Sequence, residues 1–250
     1  MKWRFIYRGL KARYRDQRSE LKALISALRP DDIAVDVGAN KGSYLWSLSH
    51  AVPSGRVVAF EPQPLLSNYL KSACRAAGLN NVVVEGAGVS DHSGQLTLAI
   101  PGIGDSSPGA SFEEAVRQRE TCRTVTVPTY SLDDYFSAVK QRIGAIKIDV
   151  EGHELAVLRG ATGILASHAP VIVCESESRH MTHGDVSTVI AFFQEQSYDG
   201  VFVYGSNLLA VSQFNPAVHQ REDGERFWDA PGYCNNFIMK KAPYTTLHEK

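Results

Sequence analysis

Asp149, Glu151, His153 and Glu154 lie within six residues, in the stretch AIKIDVEGHELAVLRGA at 145–161. Three carboxylates and an imidazole this close suit proton transfer or the binding of a cation. Asp149 stands near the end of an apolar run, residues 145–150, that reads as a buried strand. A buried carboxylate needs a partner, and a cationic ligand or a metal ion would supply one. Strand periodicity puts Lys147 and Asp149 on one face, with Glu151 two residues further along the same side. Gly152 permits a sharp bend, and Leu155, Val157, Leu158 and Ala161 resume at helical spacing. His153 is the first candidate for a general base, because an unperturbed imidazole is substantially neutral at pH 7. Glu151 is the second. Glu154 reads as the first-turn acid of the helix, where the positive N-terminus favours an anion.

A second polar group, CESESRHMTHGD at 174–185, follows the next apolar run. Glu175 ends that run, with Glu177, His180, His183 and Asp185 behind it. H-x-x-H beside carboxylates is one candidate cation site. Asp149, Glu151 and Glu175 are another, as oxygen ligands for Mg²⁺. Neither pattern is specific enough to assign a metal firmly.

A glycine turn, VDVGANKGSY at 35–44, sits between an apolar run and a helical pattern. Gly38 and Gly42 let the backbone turn tightly and approach a ligand. Asn40 stands where a dinucleotide fingerprint needs its second glycine, and no Walker lysine follows. Glu61, 19 residues after Gly42, ends the next strand, where a carboxylate can accept from both ribose hydroxyls and would repel a 2′-phosphate. These features favour S-adenosylmethionine (SAM), which has a ribose, no pyrophosphate and two cationic groups for an acid-lined crevice. Asp36 is the expected partner of its methionine moiety. In GVSDHSG at 88–94, Ser90 or Asp91 is placed to contact adenine, although the same residues make an ordinary turn. An NAD-linked oxidoreductase fits less well, for want of the middle glycine.

The elements that must position these groups alternate. Apolar runs at 33–37, 56–60, 81–89, 143–150 and 169–176 read as strands, and 65–78 and 186–196 as helices. Strands are also expected at 95–100, 123–130, 198–204 and 235–241, with a helix after Ser131. Strands separated by helices imply a mostly parallel sheet in an α/β sandwich, whose ligands bind beyond the carboxyl ends of the strands. The segments at 101–122 and 205–234 are long enough to form a lid over an acceptor. One domain is expected over 31–250, after a basic amphipathic extension at 1–30 with a helix over 12–29. Nine Lys/Arg against Asp16 and Glu20 give that extension +7, which leaves −8 for the rest of a chain of net charge −1. Its first 20 residues, where aromatics alternate with cations, read as a solvated arm, as a helix packed across the domain edge, or as an anchor on anionic lipid. The near-zero total gives no field that would draw the chain to nucleic acid. Four scattered cysteines form no C-x-x-C pair. With no signal-peptide core and no transmembrane run, a reduced cytoplasmic setting is expected, either in the cytoplasm or peripherally at the inner membrane surface. Oligomeric state is not legible.

The motifs DVGANKGSY, AFEPQP, GVSDHSG, SLDDYF and above all IKIDVEGHELAVLRGA resemble those of FkbM-type methyltransferases. The resemblance covers residues 31–241. It implies the class I Rossmann-like three-layer sandwich, with a mostly parallel seven-stranded sheet whose last strand is antiparallel. It implies SAM as cofactor, and methyl transfer most often to a hydroxyl of a sugar, glycolipid or secondary metabolite. Transfer to nitrogen or a carboxyl group, and a non-catalytic SAM-binding module, are the alternatives. Ala39, Asn40, Tyr44 and Pro62 join Asp36, Gly38, Gly42, Glu61, Ser90, Asp91 and Asp149 in the expected cofactor-binding set.

Overall fold

The computed structural model describes residues 1–119, 121–230 and 232–242. The chain opens with α1 (Lys2–Lys11), one π-helical turn (Ala12–Asp16) and α2 (Arg18–Ala27). Then come β1 (Ile33–Val37), α3 (Leu45–Ala51), β2 (Arg56–Phe60), α4 (Pro64–Ala77) and β3 (Val82–Glu85). A small excursion follows: β4 (Gly88–Val89), β5 (Gly94–Pro101), α5 (Glu114–Arg119), β6 (Cys122–Tyr130) and α6 (Leu132–Tyr135). The chain returns through β7 (Ile143–Asp149), α7 (Glu154–Arg159), α8 (Thr162–Ser167), β8 (Val171–Glu175) and α9 (Val186–Glu195). It ends with β9 (Tyr198–Tyr204), β10 (Asn207–Ala210), α10 (Pro216–His219) and β11 (Asn236–Lys241).

The main sheet runs β10-β9-β11-β8-β7-β1-β2-β3. The strands from β3 to β8 are parallel, and β11 enters antiparallel between β8 and β9. The expected seven strands are all present; β10 adds an eighth at the edge through a hairpin with β9. The run 81–89 divides between two sheets, because β4 leaves the main sheet to pair with β6 beside β5. The central strands are mostly apolar because helices cover both faces. Ile33, Val35, Val37, Ile146 and Ile148 pack in one core. The alternate residues Ala34, Ala145, Val57 and Ala59 pack in the other, against α1 to α4.

The N-terminal helix begins ten residues before its expected start, at Lys2. Phe5, Ala12, Leu21 and Leu24 are buried in the same core as β1 and β2, so this segment packs on the domain and is not a solvated arm. The aromatic and cationic residues hid its period, because the face it buries carries small residues as well as Phe5. Ser131 caps α6 by accepting from Asp134 N. Among the described residues no helix is long and apolar enough to cross a membrane.

Candidate active site

Strand register builds the centre of the site. Asp36 on β1 lies opposite Lys147 on β7, and Asp149, two residues on, lies opposite Glu175 on β8. Alternation therefore gathers Asp36, Lys147, Asp149 and Glu175 on one face at the carboxyl ends of three strands. Lys147 Nζ sits 3.4 Å from Asp36 Oδ1 and 3.2 Å from Asp149 Oδ2, and donates to Gly38 O at 2.8 Å. Burial alone would lower its pKa, but Asp149 and Asp36 outweigh burial and hold the ammonium above the ordinary lysine range. Asp36 is wholly buried. Burial pushes its carboxyl up, against the pull of Lys147. Its partner is thus Lys147, beneath the cleft, and not an open crevice. Tyr44 is also buried, with Lys147 Nζ 5.5 Å from its ring centroid.

The glycine loop lies over this group. Gly38 and Gly42 have φ of +75° and +78°, conformations that favour glycine. A Cβ on Gly38 would meet Asp149 O at 1.8 Å, and one on Gly42 would meet Phe5 Cε2 at 2.7 Å. Ala39 is buried and its N–H donates to Phe60 O. Both Glu61 oxygens accept backbone N–H groups, Oε2 from Asn40 at 2.7 Å and Oε1 from Gln63 at 2.9 Å. Burial still pushes its carboxyl up to about 7. Gly38, Asn40, Glu61, Pro62, Asp149 and Glu151 line one cleft with Gln63 and Phe112.

Residues 102–113 form a strap across this cleft. Gln63 holds it by donating to Ser107 O and accepting from Ser107 N, and Ser111 Oγ donates to Glu151 O at 2.6 Å. Phe112 packs on the small sheet with Leu98, Ile100 and Val127. At the strap's end Glu113 accepts from His153 Nδ1 at 2.8 Å and from Thr182 Oγ1. The neutral imidazole is left with Nε2 as an acceptor, and Ser90 Oγ lies 2.9 Å from it. Burial opposes the charge on Glu113, but these hydrogen bonds outweigh it and hold the carboxyl below the ordinary range. Glu113→Gln is therefore expected to loosen the strap. Amide hydrogen exchange over residues 105–113 should rise at neutral pH, and unchanged exchange would rule the latch out.

His153 and Ser90 are thus brought together as a latch, away from the cleft lining. Asp91 is exposed and accepts from His92 Nδ1, as a turn residue would. Glu151 does line the cleft. It adopts φ +54°, and its Oε2 accepts from His180 Nδ1 at 2.6 Å. Burial pushes its carboxyl up against the pull of His180. Glu154 is the first-turn acid of α7 as expected; it is also buried, accepts from Gly152 N at 2.9 Å, and is pushed up to about 8 by burial.

The carboxylates considered for a cation have separate partners. Asp149 faces Lys147, Glu151 faces His180, and Glu175 accepts from Asn235. Glu177 pairs with Arg179 and Tyr233. His183 is exposed and Asp185 caps α9. Among the described residues no group of three or more His, Cys, Asp or Glu could hold a metal ion. No local pattern in the sequence marks Glu113 or Gln63, because the side-chain partners that hold the strap lie 40 or more residues away; Phe112 sits in a Gly/Pro/Ser-rich loop with no periodicity of its own.

The description "Methyltransferase FkbM domain" belongs to the family whose model matches residues 36–199. Hexuronic acid methyltransferase AglP of Haloferax volcanii is 32% identical over 166 residues, 64% of this chain and 64% of that protein. Methyltransferase sdnD of Sordaria araneosa is 32% identical over 162 residues, 54% of this chain and 62% of that protein. The chain thus spans less than two thirds of the length of either relative. Among solved structures, methyltransferase FkbM from Methylobacillus flagellatus KT superposes with a TM-score of 0.53 at 16% identity, covering 86% of this chain and 45% of that one. A Streptococcus mutans protein solved in complex with SAH gives 0.51 at 12% identity, covering 90% and 97%. At these identities the two structures establish a shared fold.

Proposed function

This chain belongs to the FkbM methyltransferase family, and on that premise we propose that it transfers a methyl group from SAM to a hydroxyl of a sugar, glycolipid or secondary metabolite. The observation that carries the reading is Glu61. Two backbone N–H groups fix its carboxylate at the wall of the cleft, and the remaining lone pairs suit a ribose diol. Gly38 and Asn40 give the ligand close backbone approach, while Ala39, Gly42 and Asp36 fix the loop from behind. Pro62 and Asp149 complete the walls. Tyr44 supports Lys147 from below, and Ser90 and Asp91 stand outside this set. The residues present fit SAM, which supplies the activated methyl group when bound.

Glu151 is the group we assign to the acceptor's proton. It lines the cleft beside Asp149, and burial raises its basicity above that of an ordinary carboxylate. His180 holds it in place and stabilises its charge. His153 is assigned to the latch. The name of the Haloferax relative supports a uronic acid or another sugar as acceptor. The exposed Trp3, Tyr7 and Tyr14 on a basic segment support peripheral contact of residues 1–20 with an anionic membrane surface.

Calorimetry with SAM and NAD tests the cofactor, and absence of SAM binding would overturn the proposal. Glu61 can accept from both ribose hydroxyls only when ionised, because protonation turns one of its oxygens into a donor, and burial raises its carboxyl to about 7. Affinity for SAM should therefore rise as pH increases through that value, and fall by up to about tenfold per pH unit below it. Glu61→Gln should bind weakly with no such pH dependence; a pH dependence surviving in this variant would refute the assignment.

A further inference from the structure

A groove of about 890 Å³ runs along the sheet face that carries α1 to α4, between α2 and the β9–β10 hairpin. This lies within the range of volumes that enclose small-molecule ligands. It exists because the helices run out. α2 packs on β7, β8 and β11, and among the described residues no helix on that face makes comparable contact with β9 or β10. The floor is consequently apolar: Val201 and Val203 of β9, Leu208 of β10 and Ile238 of β11. Leu208 is 48% exposed.

The rim is cationic. Arg18, Lys22 and Lys240 line it, are exposed, and have no hydrogen bond or ion pair among the described residues. Two acids also line the groove, but neither offsets them. Asp16 is paired with Lys11 and Arg15. Glu20 is buried, with its carboxyl pushed up by burial.

A second observation lies alongside. Trp3, Tyr7 and Leu10 share one face of α1 by their i, i+4, i+7 spacing, opposite the buried Phe5 and Gly9. They are 77%, 66% and 39% exposed, and Tyr14, 69% exposed, extends this aromatic stripe into the groove itself. Aromatic rings set among cations suit a lipid headgroup layer. An apolar channel with a cationic rim, opening beside such a stripe, suits one chain of an anionic lipid with its phosphate outside.

We infer that the groove between α2 and the β9–β10 hairpin binds a single anionic membrane lipid, its hydrocarbon chain on Val201, Val203, Leu208 and Ile238 and its phosphate on Arg18, Lys22 and Lys240. The methyl-transfer cleft is lined by different residues, so this site stands whatever the acceptor is.

The test uses the full chain and needs no methyl donor. Dodecyl phosphate below its micellar concentration is titrated calorimetrically, with dodecyl maltoside and inorganic phosphate as controls. One molecule should bind per chain, at least about tenfold more tightly than either control. Lys22→Glu combined with Lys240→Glu should weaken it by about tenfold or more, and so should Leu208→Asp. These positions are exposed, and an unchanged circular dichroism melt confirms that the variants fold. Flotation with phosphatidylglycerol vesicles should recruit the wild-type chain, the charge variant much less, and phosphatidylcholine vesicles should recruit neither. Equal binding by wild type and variants would overturn the site. Binding of dodecyl phosphate without recruitment to vesicles would overturn the membrane as the source of the lipid. A dimer in light scattering that Leu208→Asp dissociates would give the groove to a second copy of the chain and overturn the proposal.

Discussion

Glu151→Gln is expected to lower kcat by about 10²–10⁴-fold, the usual contribution of a positioned base, while SAM affinity stays within a few-fold of wild type. Glutamine keeps the shape of the side chain and still accepts a hydrogen bond from His180, but it cannot take up a proton. The cofactor-facing groups, Glu61 and Asp149, are unchanged by it. The comparison with His153→Ala is informative. That change removes the partner of Glu113 and Ser90, so it should loosen the strap and raise the KM for SAM more than it lowers kcat. Single-turnover rates at saturating SAM separate the two effects. If Glu151→Gln turned over like wild type while His153→Ala lost 10²-fold or more, the base would have to be His153.

The largest effect on stability is expected from Lys147→Met. Lys147 is the cation between Asp36 and Asp149, and neither Asp36 oxygen has a hydrogen-bond donor among the described residues. Removing one partner of a buried ion pair typically costs about 3–5 kcal/mol, because the remaining charge is left uncompensated. For a chain of this size that is a fall in Tm on the order of 10 °C. Lys147→Met combined with Asp36→Asn should recover part of the loss, because the wholly buried carboxylate of Asp36 is then replaced by a neutral group. The pH dependence has a definite sign. Burial raises the carboxyl of Asp36 in the folded state. Without Lys147 the fold retains a proton there that the unfolded chain releases, so stability should fall as pH rises above the ordinary carboxylate range. Thermal melts of the single variant that are flat from pH 5 to pH 8 would contradict this account.

The parts of the site that sequence revealed are those whose chemistry is local. Gly38, Gly42 and Glu61 are tied to strand ends, and strand ends are legible from apolar runs. Alternation likewise put Lys147 and Asp149 on one face. What it could not give was the neighbour of that face: pairing Asp36 with Lys147 depends on the register of β1 against β7, two strands separated by more than 100 residues. Sequence therefore offers Asp36 to the ligand without revealing that Lys147 faces it across the strands. His153 was favoured for its chemistry alone, and its two partners lie 40 and 63 residues away. Glu113 and Gln63 carried no pattern of their own. In the fold, β10 was missed because it is short and mostly exposed. The groove escaped notice for a different reason: it is an absence of helix, and no residue type marks an absence.

The contact between Gly42 and Phe5 reaches beyond packing. The donor loop's second glycine leans on a side chain from the first turns of the chain, so a change of size at either position is felt at the other. Bulk gained at one position has to be given up at the other. The beginning of the chain is in this sense a tuning peg for the loop it supports.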